Sequence, residues 1–144
     1  MNEKISTLTF DEIEIGLRKS FEIKITEYML DSFSELSGDF NPLHMDKVYA
    51  NSTGFDERVC NGMLLASFFS RLIGMHLPGK NALYFSQSLN FVNPCLLNEK
   101  ILVEGEIIDK SDATKIITIK TTITNESQKV VVDGIARVKI RNAN

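Results

Sequence analysis

The segment 63–73 constrains the fold more strongly than any other part of this 144-residue chain. Its only polar side chains are Ser67, Ser70 and Arg71, so a helix formed here is apolar around most of its circumference. A helix of that kind is buried rather than laid on a surface. It is also far shorter than the roughly 18 apolar residues that a membrane span needs. The segment therefore predicts a central helix in a globular core.

Strand-like segments follow this helix, from Ala82 onward. Residues 101–108 alternate in character, and residues 116–123 and 130–140 are rich in β-branched side chains. Turns are expected at 109–113 and 125–128. Long strands placed after a buried helix predict an α+β fold, in which a curved antiparallel sheet wraps around the central helix.

The first part of the chain predicts shorter elements. Residues 8–25 favour two short strands joined by a turn. Thr26 is suited to cap a helix that ends at Gly38, and residues 45–50 predict one or two further helical turns. The apolar positions of the first helix recur at helical spacing: Tyr28, Met29, Phe33 and Leu36.

Composition excludes several classes of partner. Lys and Arg number 16 against 19 Asp and Glu, and no basic run marks a nucleic-acid surface. No apolar run is long enough for a membrane helix, and the first residues lack the apolar core of a signal peptide. Cys60 and Cys95 are too few for a disulfide framework. We expect one cytoplasmic domain over residues 1–144, with reduced thiols and no nucleic-acid or membrane partner.

A polar segment after the first predicted helix carries the chemistry of the chain. Residues 37–44 read Ser-Gly-Asp-Phe-Asn-Pro-Leu-His and bring together Asp39, Asn41 and His44. A carboxylate and an imidazole form a proton-transfer pair, and an amide can orient a water or a neighbour. One Asp and one His fall short of the three protein ligands usual at a catalytic zinc. The segment predicts acid–base chemistry on water and an organic substrate, and its structural alternative is an Asx turn with a loop histidine.

A second feature lies at the start of the central helix. The backbone N–H groups near Asn61 and Gly62 have no acceptor within the helix, and the helix dipole favours negative charge there. Because glycine allows close approach to the backbone, this is a candidate oxyanion site for a polarised carbonyl. The alternative is that Gly62 serves packing alone. The two features together suit the addition or removal of water beside a thioester.

The blocks Gly-Asp-Phe-Asn-Pro-Leu-His (38–44) and Gly-Met-Leu-Leu-Ala-Ser (62–67) closely resemble the MaoC-like, (R)-specific enoyl-CoA hydratase family. They occur in the family's order and at about its spacing, and the resemblance covers residues 36–103. It implies a hot-dog fold that works as a homodimer, or as a dimer of dimers, with sites at the subunit interface. It implies no cofactor and no metal, because CoA or pantetheine is part of the substrate.

The same resemblance implies syn hydration of a trans-2-enoyl thioester to the (R)-3-hydroxyacyl thioester, or the reverse. By it, Asp39 and His44 hold the water, with Asp39 expected as base and His44 as acid during hydration. The order of these roles stays open. The Gly62 N–H polarises the carbonyl, Asn41 is a positioning residue, and Ser70 orients the pair. A serine inside a helix can instead bond to its own backbone, which is the alternative for Ser70.

Other residues are open to two interpretations. Asn61 stands where family members often carry histidine, and we expect it to affect the pocket wall or the acyl preference. Arg71 and Lys80 are candidates for contact with a CoA phosphate, with solvated charges as the alternative. His76 is expected at a surface or a helix end.

Two other functions compete with hydration. One is a hot-dog acyl thioesterase, in which a carboxylate-activated water attacks the carbonyl carbon. The other is a non-catalytic module that binds acyl thioesters or dimerises. The sequence does not distinguish CoA from acyl carrier protein as the carrier.

Overall fold

The computed structural model describes residues 3–141. Within them, six strands form one antiparallel sheet: Arg18–Lys24 (β1), Ala82–Gln87 (β2), Asn90–Phe91 (β3), Lys100–Ser111 (β4), Ile116–Thr124 (β5) and Val130–Ile140 (β6). The strand order is β1-β4-β5-β6-β2, and the short β3 also pairs with β6. This confirms the predicted α+β fold with its antiparallel sheet.

The helices of the described residues precede most of the sheet: Glu27–Ser37 (α1), Pro42–Met45 (α2), Lys47–Ser52 (α3) and Gly62–Arg71 (α4). A π-helical segment, Leu72–His76, continues α4 without a break. The buried side chains of α4 pack against β4, β5 and β6, which confirms the predicted helix over the sheet. The helix is not buried on all sides, however. Its face containing Met63, Ser67 and Ser70 is exposed, and Met63 is 57% exposed.

The predicted limits of α1 are confirmed by its caps. The Thr26 hydroxyl accepts a hydrogen bond from the Met29 N–H, and Gly38 ends the helix in the left-handed conformation (φ 80°). The predicted apolar stripe is partly wrong, because Tyr28 and Leu36 are 80% and 87% exposed. The buried positions of the helix are Leu30 and Ser34.

Two predicted boundaries are wrong for local reasons. The first of the two early strands is absent from the described residues, where only an isolated bridge joins Thr7 to Gly79. Thr9 instead donates from its N–H and its hydroxyl to Glu12 Oε1, and its carbonyl oxygen accepts the Glu12 N–H, which folds residues 10–12 into a turn. The predicted turn at 109–113 begins only at residue 112, because the last three residues of β4 (109–111) still pair with β5 beyond a bulge between Ile107 and Asp109.

Candidate active site

The loop between α1 and α2 is folded by its own polar side chains. Asp39 Oδ1 accepts the Asn41 N–H at 3.1 Å, and Asn41 Oδ1 accepts the Leu43 N–H at 3.0 Å. Asn41 is therefore the N-cap of α2, and Pro42 occupies the first helical turn, where its missing N–H is harmless. The predicted interruption of helical structure lies at residues 38–41. Asp39 and Asn41 remain exposed to solvent.

His44 lies on α2 and is half-buried. Its Nδ1 is 2.7 Å from the carbonyl oxygen of Val59. Because a carbonyl oxygen only accepts, this contact requires a hydrogen on Nδ1. The other ring nitrogen, Nε2, is then an acceptor in the neutral imidazole and a donor in the imidazolium. Nε2 is the atom through which His44 can exchange a proton with a ligand.

Asp39 is anchored from the protein interior by Asn61. Asn61 Nδ2 donates to Asp39 Oδ2 at 3.1 Å, and Asn61 is only 3% exposed. Among the hydrogen bonds of the described residues, none joins Asp39 directly to His44. Their anchors, Val59 and Asn61, are two residues apart in non-helical chain, a spacing of about 7 Å in extended backbone. One short segment thus holds both members of the predicted pair.

Arg58, which is not among the site residues predicted from the sequence, supports this segment. The side chain is buried, yet its guanidinium donates from Nε to the His44 carbonyl oxygen at 2.7 Å and from Nη2 to Asp31 Oδ1 at 2.7 Å. Nη1 lies 3.7 Å from Glu27 Oε1. The only signal in the sequence is that α1 carries acidic residues one turn apart, Glu27 and Asp31 among them, and no basic residue.

The segment 58–61 is fixed from behind by a short bridge to residues 95–97. The Cys60 N–H donates to the Cys95 carbonyl oxygen at 2.8 Å, and the Leu97 N–H donates to the Arg58 carbonyl oxygen at 2.9 Å. Both cysteines are free and buried, which confirms the predicted reduced thiols. A hydrogen bond with Cys95, together with burial, raises the pKa of the Cys60 thiol. The Cys60 thiol is therefore structural rather than reactive.

Gly62 is the first residue of α4, as predicted, and it also has a packing role. A Cβ atom at this position would lie 2.6 Å from Cδ1 of Phe91, so the aromatic ring occupies the space of a side chain. The first helical hydrogen bond runs from the Leu65 N–H to the Asn61 carbonyl oxygen. The N–H groups of Gly62 and its two successors therefore have no acceptor within the helix. The Asn61 side chain does not cap them, because it reaches Asp39 instead.

Ser70 is not joined to the predicted pair. It follows Gly62 by two helical turns, about 12 Å along the axis. Within residues 3–141, no hydrogen bond connects it to Asp39 or His44. It is exposed on the same face of α4 as Met63 and Ser67. Its predicted role in orienting the pair stays a prediction.

The cations named as candidates for a CoA phosphate differ in their surroundings. The Arg71 guanidinium lies 4.1 Å above the Phe21 ring and donates from Nε to Glu3 Oε2 at 3.2 Å. The Arg71 hydrogen bond lowers the pKa of the Glu3 carboxyl. His76 stacks on the same ring at the end of the π-helical segment, and its Nε2 is 2.8 Å from Glu3 Oε1. The Arg71 side chain is thus already in contact with Phe21 and Glu3 of the same chain, whereas Lys80 is exposed to solvent.

No three His, Cys, Asp or Glu side chains among residues 3–141 converge so that they could hold a metal ion. In the same part of the chain, every helix is too short or too polar to cross a membrane.

Comparison with known proteins places these features in a family. The sequence model of the family described as MaoC like domain matches residues 10–130. The chain is 35% identical over 133 residues to the (R)-specific enoyl-CoA hydratase of Aeromonas caviae, covering 92% of this chain and 99% of that protein. It is 31% identical over 140 residues to the 3-hydroxybutyryl-CoA dehydratase of Methylorubrum extorquens, covering 97% and 88%. The R-hydratase PhaJ1 of Pseudomonas aeruginosa, unliganded, superposes with a TM-score of 0.92 at 33% identity, covering 96% of this chain and 89% of that one.

Proposed function

Because the chain belongs to the MaoC-like domain family, we propose that it is a hydro-lyase, which reversibly adds water to trans-2-enoyl thioesters and forms (R)-3-hydroxyacyl thioesters. The resemblance found in the sequence is confirmed by the family match and by relatives that are themselves hydratases and dehydratases. The observation that carries the proposal is the segment 58–61. It anchors a carboxylate and an imidazole and then leads directly into the unoccupied N–H groups of α4.

The proposed reaction uses all of these groups together. Water lies between Asp39 and His44, and Asp39 takes one of its protons as the hydroxide adds to C3. His44 delivers the proton on Nε2 to C2 of the same face, which gives the syn product. The N–H groups at the start of α4, with Gly62 first, stabilise the negative charge that develops on the thioester oxygen. A proton then returns from Asp39 to His44 through solvent, and dehydration reverses each step.

Asn41 and Ser70 have supporting roles in this proposal. Asn41 shapes the loop, because its N–H holds Asp39 and its side chain begins the helix that carries His44. Ser70 is proposed to act from the exposed face of α4. There it would contact the bound thioester, or it would become part of a site that a second subunit completes. No cofactor enters the proposed reaction, since CoA or the pantetheine of an acyl carrier protein arrives as part of the substrate. The single domain and its cytoplasmic location remain predictions.

A homodimer completes the proposal. The strand β2 is one edge of the sheet, and its exposed side chains Leu83, Tyr84 and Phe85 are large and apolar. An unpaired apolar edge is a surface that a second chain can cover by strand pairing. The exposed face of α4 offers a second uncovered area within the same chain. Light scattering of the active enzyme tests this: we expect twice the mass of one chain or a multiple of it, and an active monomer contradicts it.

The activity is tested with crotonyl-CoA as the enoyl substrate. We expect the enoyl absorbance to fall without release of free thiol, and chiral analysis to identify (R)-3-hydroxybutyryl-CoA. Release of free CoA without hydration would identify a thioesterase instead. Binding without any reaction, across acyl chain lengths, would identify a binding module. A series of enoyl-CoA lengths, compared with an enoyl acyl carrier protein, then defines the carrier and the acyl preference.

A further inference from the structure

The buried side chain of Asn61 makes a single hydrogen bond to the described residues, although its amide can make up to four. Its Nδ2 donates to Asp39 Oδ2 at 3.1 Å, but its Oδ1 is fully buried and has no partner among the described residues. A buried acceptor without a donor is unfavourable for folding. Asn61 also gives up the usual stabilising role of a residue at the start of a helix, because its side chain does not cap α4.

We infer that Asn61 is a positioning residue for Asp39, which it holds in the orientation needed for proton transfer. This inference rests on the proposed function. The side-chain geometry is specific for this role, since only the NH₂ group of the amide can bond to an ionised carboxylate. The carbonyl oxygen must then face the interior, where it is unpartnered. The unpartnered oxygen lowers the stability of the fold locally, and the same orientation of the amide provides the hydrogen bond to the exposed carboxylate of Asp39.

The two oxygens of Asp39 are held by different parts of the chain. The Asn41 N–H, in the same loop, donates to Oδ1, and the Asn61 amide, 22 residues away in sequence, donates to Oδ2. The first contact fixes the carboxylate relative to its own loop. The second fixes it relative to α4. Without Asn61, no side-chain hydrogen bond of the described residues would tie Asp39 to the body of the protein.

The position of Asn61 links the two halves of the proposed site. Its side chain holds the base, and its backbone immediately precedes Gly62, the first N–H donor of α4. A displacement of the base relative to these donors would lower the rate of the chemical step more than it would weaken binding of the thioester. The expected signature is therefore a change in kcat with KM preserved.

The test compares Asn61→Leu with Asn81→Leu. Asn81 is a matched control because it is also buried and its side chain makes a single hydrogen bond, to the Leu8 carbonyl oxygen. We expect Asn61→Leu to lower kcat for crotonyl-CoA about 10- to 100-fold with KM within about twofold of the wild type. Asn81→Leu should leave kcat within about twofold. Equal kcat values for Asn61→Leu and the wild type would overturn the inference.

A double-mutant cycle shows whether Asn61 acts through Asp39. In the Asp39→Asn background, we expect Asn61→Leu to cause no further fall in kcat, because the group that it positions is already lost. An equal fall in both backgrounds would contradict the positioning role.

A third measurement does not depend on activity or on folding of the Asn61 variant. The side-chain NH₂ signals of Asn61 and Asn81 are assigned by NMR in the wild type, and their shifts are compared in Asp39→Ala, a substitution at an exposed residue. We expect the Asn61 signal to move and the Asn81 signal to stay. An unmoved Asn61 signal would overturn the inference even if hydration is confirmed. A wild type without hydratase activity would instead refute the proposed function while the NMR result still decides the contact.

Discussion

Two short segments of the chain have different roles in the candidate site. Residues 38–44 are polar and mostly exposed, and their hydrogen bonds are largely local. Residues 58–61 are all buried, and they bond to α1, to α2 and to residues 95–97. The first segment presents the side chains with acid–base chemistry. The second presents almost none, yet each member of the pair depends on it for its orientation.

This division predicts two kinds of variant. A change in the exposed segment should remove activity without loosening the fold, because few tertiary contacts are lost. A change in the buried segment should lower stability as well, because the side chains or backbone groups there hold several elements together. Measuring the rate and the free energy of unfolding for each variant tests this separation.

The largest effect is expected for the proposed catalytic pair. Asp39→Asn and His44→Ala should each lower turnover of crotonyl-CoA at least about 10²-fold, as expected for the loss of a general acid or base. The melting temperature of Asp39→Asn should change little, whereas His44→Ala also removes the donor to the Val59 carbonyl oxygen and should lower the melting temperature while leaving the protein folded. Steady-state rates and thermal unfolding give the two values.

Matched controls are available for both substitutions. Asp56 is an exposed aspartate outside the site, and His76 is the other histidine of the chain. Asp56→Asn and His76→Ala should retain near-wild-type turnover. If Asp39→Asn or His44→Ala did the same, the assignment of the pair would be wrong.

The conformation of the exposed segment could be predicted from the sequence, but the role of the buried segment could not. Gly38 and Pro42 interrupt the helix by local backbone chemistry, so the loop with Asp39 and Asn41 could be predicted from neighbouring residues alone. The role of Arg58 depends on contacts with α1 and α2 that are 27 and 14 residues away in sequence, respectively. No local pattern specifies such a contact, and an arginine is expected on a surface by default.

The same distinction explains the errors along α1 and α4. Helical spacing predicted α1, and a continuous apolar run predicted α4. Neither pattern determines which part of a helix's circumference meets the sheet. Tyr28 and Leu36 were therefore assigned to the packed face and are exposed, and the face of α4 with Met63 is open in the single chain.

The next effect is expected for Arg58, and it should fall mainly on stability. Arg58→Met keeps the buried stem but removes the donor to the His44 carbonyl oxygen and the contacts with α1. The acidic partners are themselves largely exposed, so no buried charge is left behind. We expect a loss of about 1–3 kcal/mol in the free energy of unfolding, the usual cost of an unsatisfied buried group. Urea unfolding measures this value.

Arg18→Met is the control for Arg58. Arg18 pairs with Glu104 and Glu106 at the surface, where such pairs contribute about 0–1 kcal/mol. The proposed division of roles between the two segments would be contradicted if Arg58→Met and Arg18→Met had the same free energy of unfolding. It would also be contradicted if Arg58→Met lost turnover as completely as Asp39→Asn while remaining fully stable.

A smaller effect is expected at the junction between the buried segment and α4. The added methyl of Gly62→Ala would meet the Phe91 ring at 2.6 Å, but that ring is half exposed and can move outward. We expect a destabilisation of about 1 kcal/mol, at the low end for overpacking. Gly74→Ala is the opposite control, since its Cβ would lie in open space, and it should not destabilise. Equal destabilisation by both substitutions would show that the Phe91 contact is not the cause.

The smallest effect concerns the thiols behind the site. Cys60 and Cys95 are buried and free, and the pKa of the Cys60 thiol is raised by its hydrogen bond with Cys95 and by burial. Since the thiolate is the reactive form, a thiol reagent should label neither cysteine in the native protein and both in urea. Turnover should be unchanged after treatment of the native protein. Labelling of Cys60 in the folded state would mean that residues 58–61 open readily, and the rigid support proposed for Asp39 and His44 would then be lost.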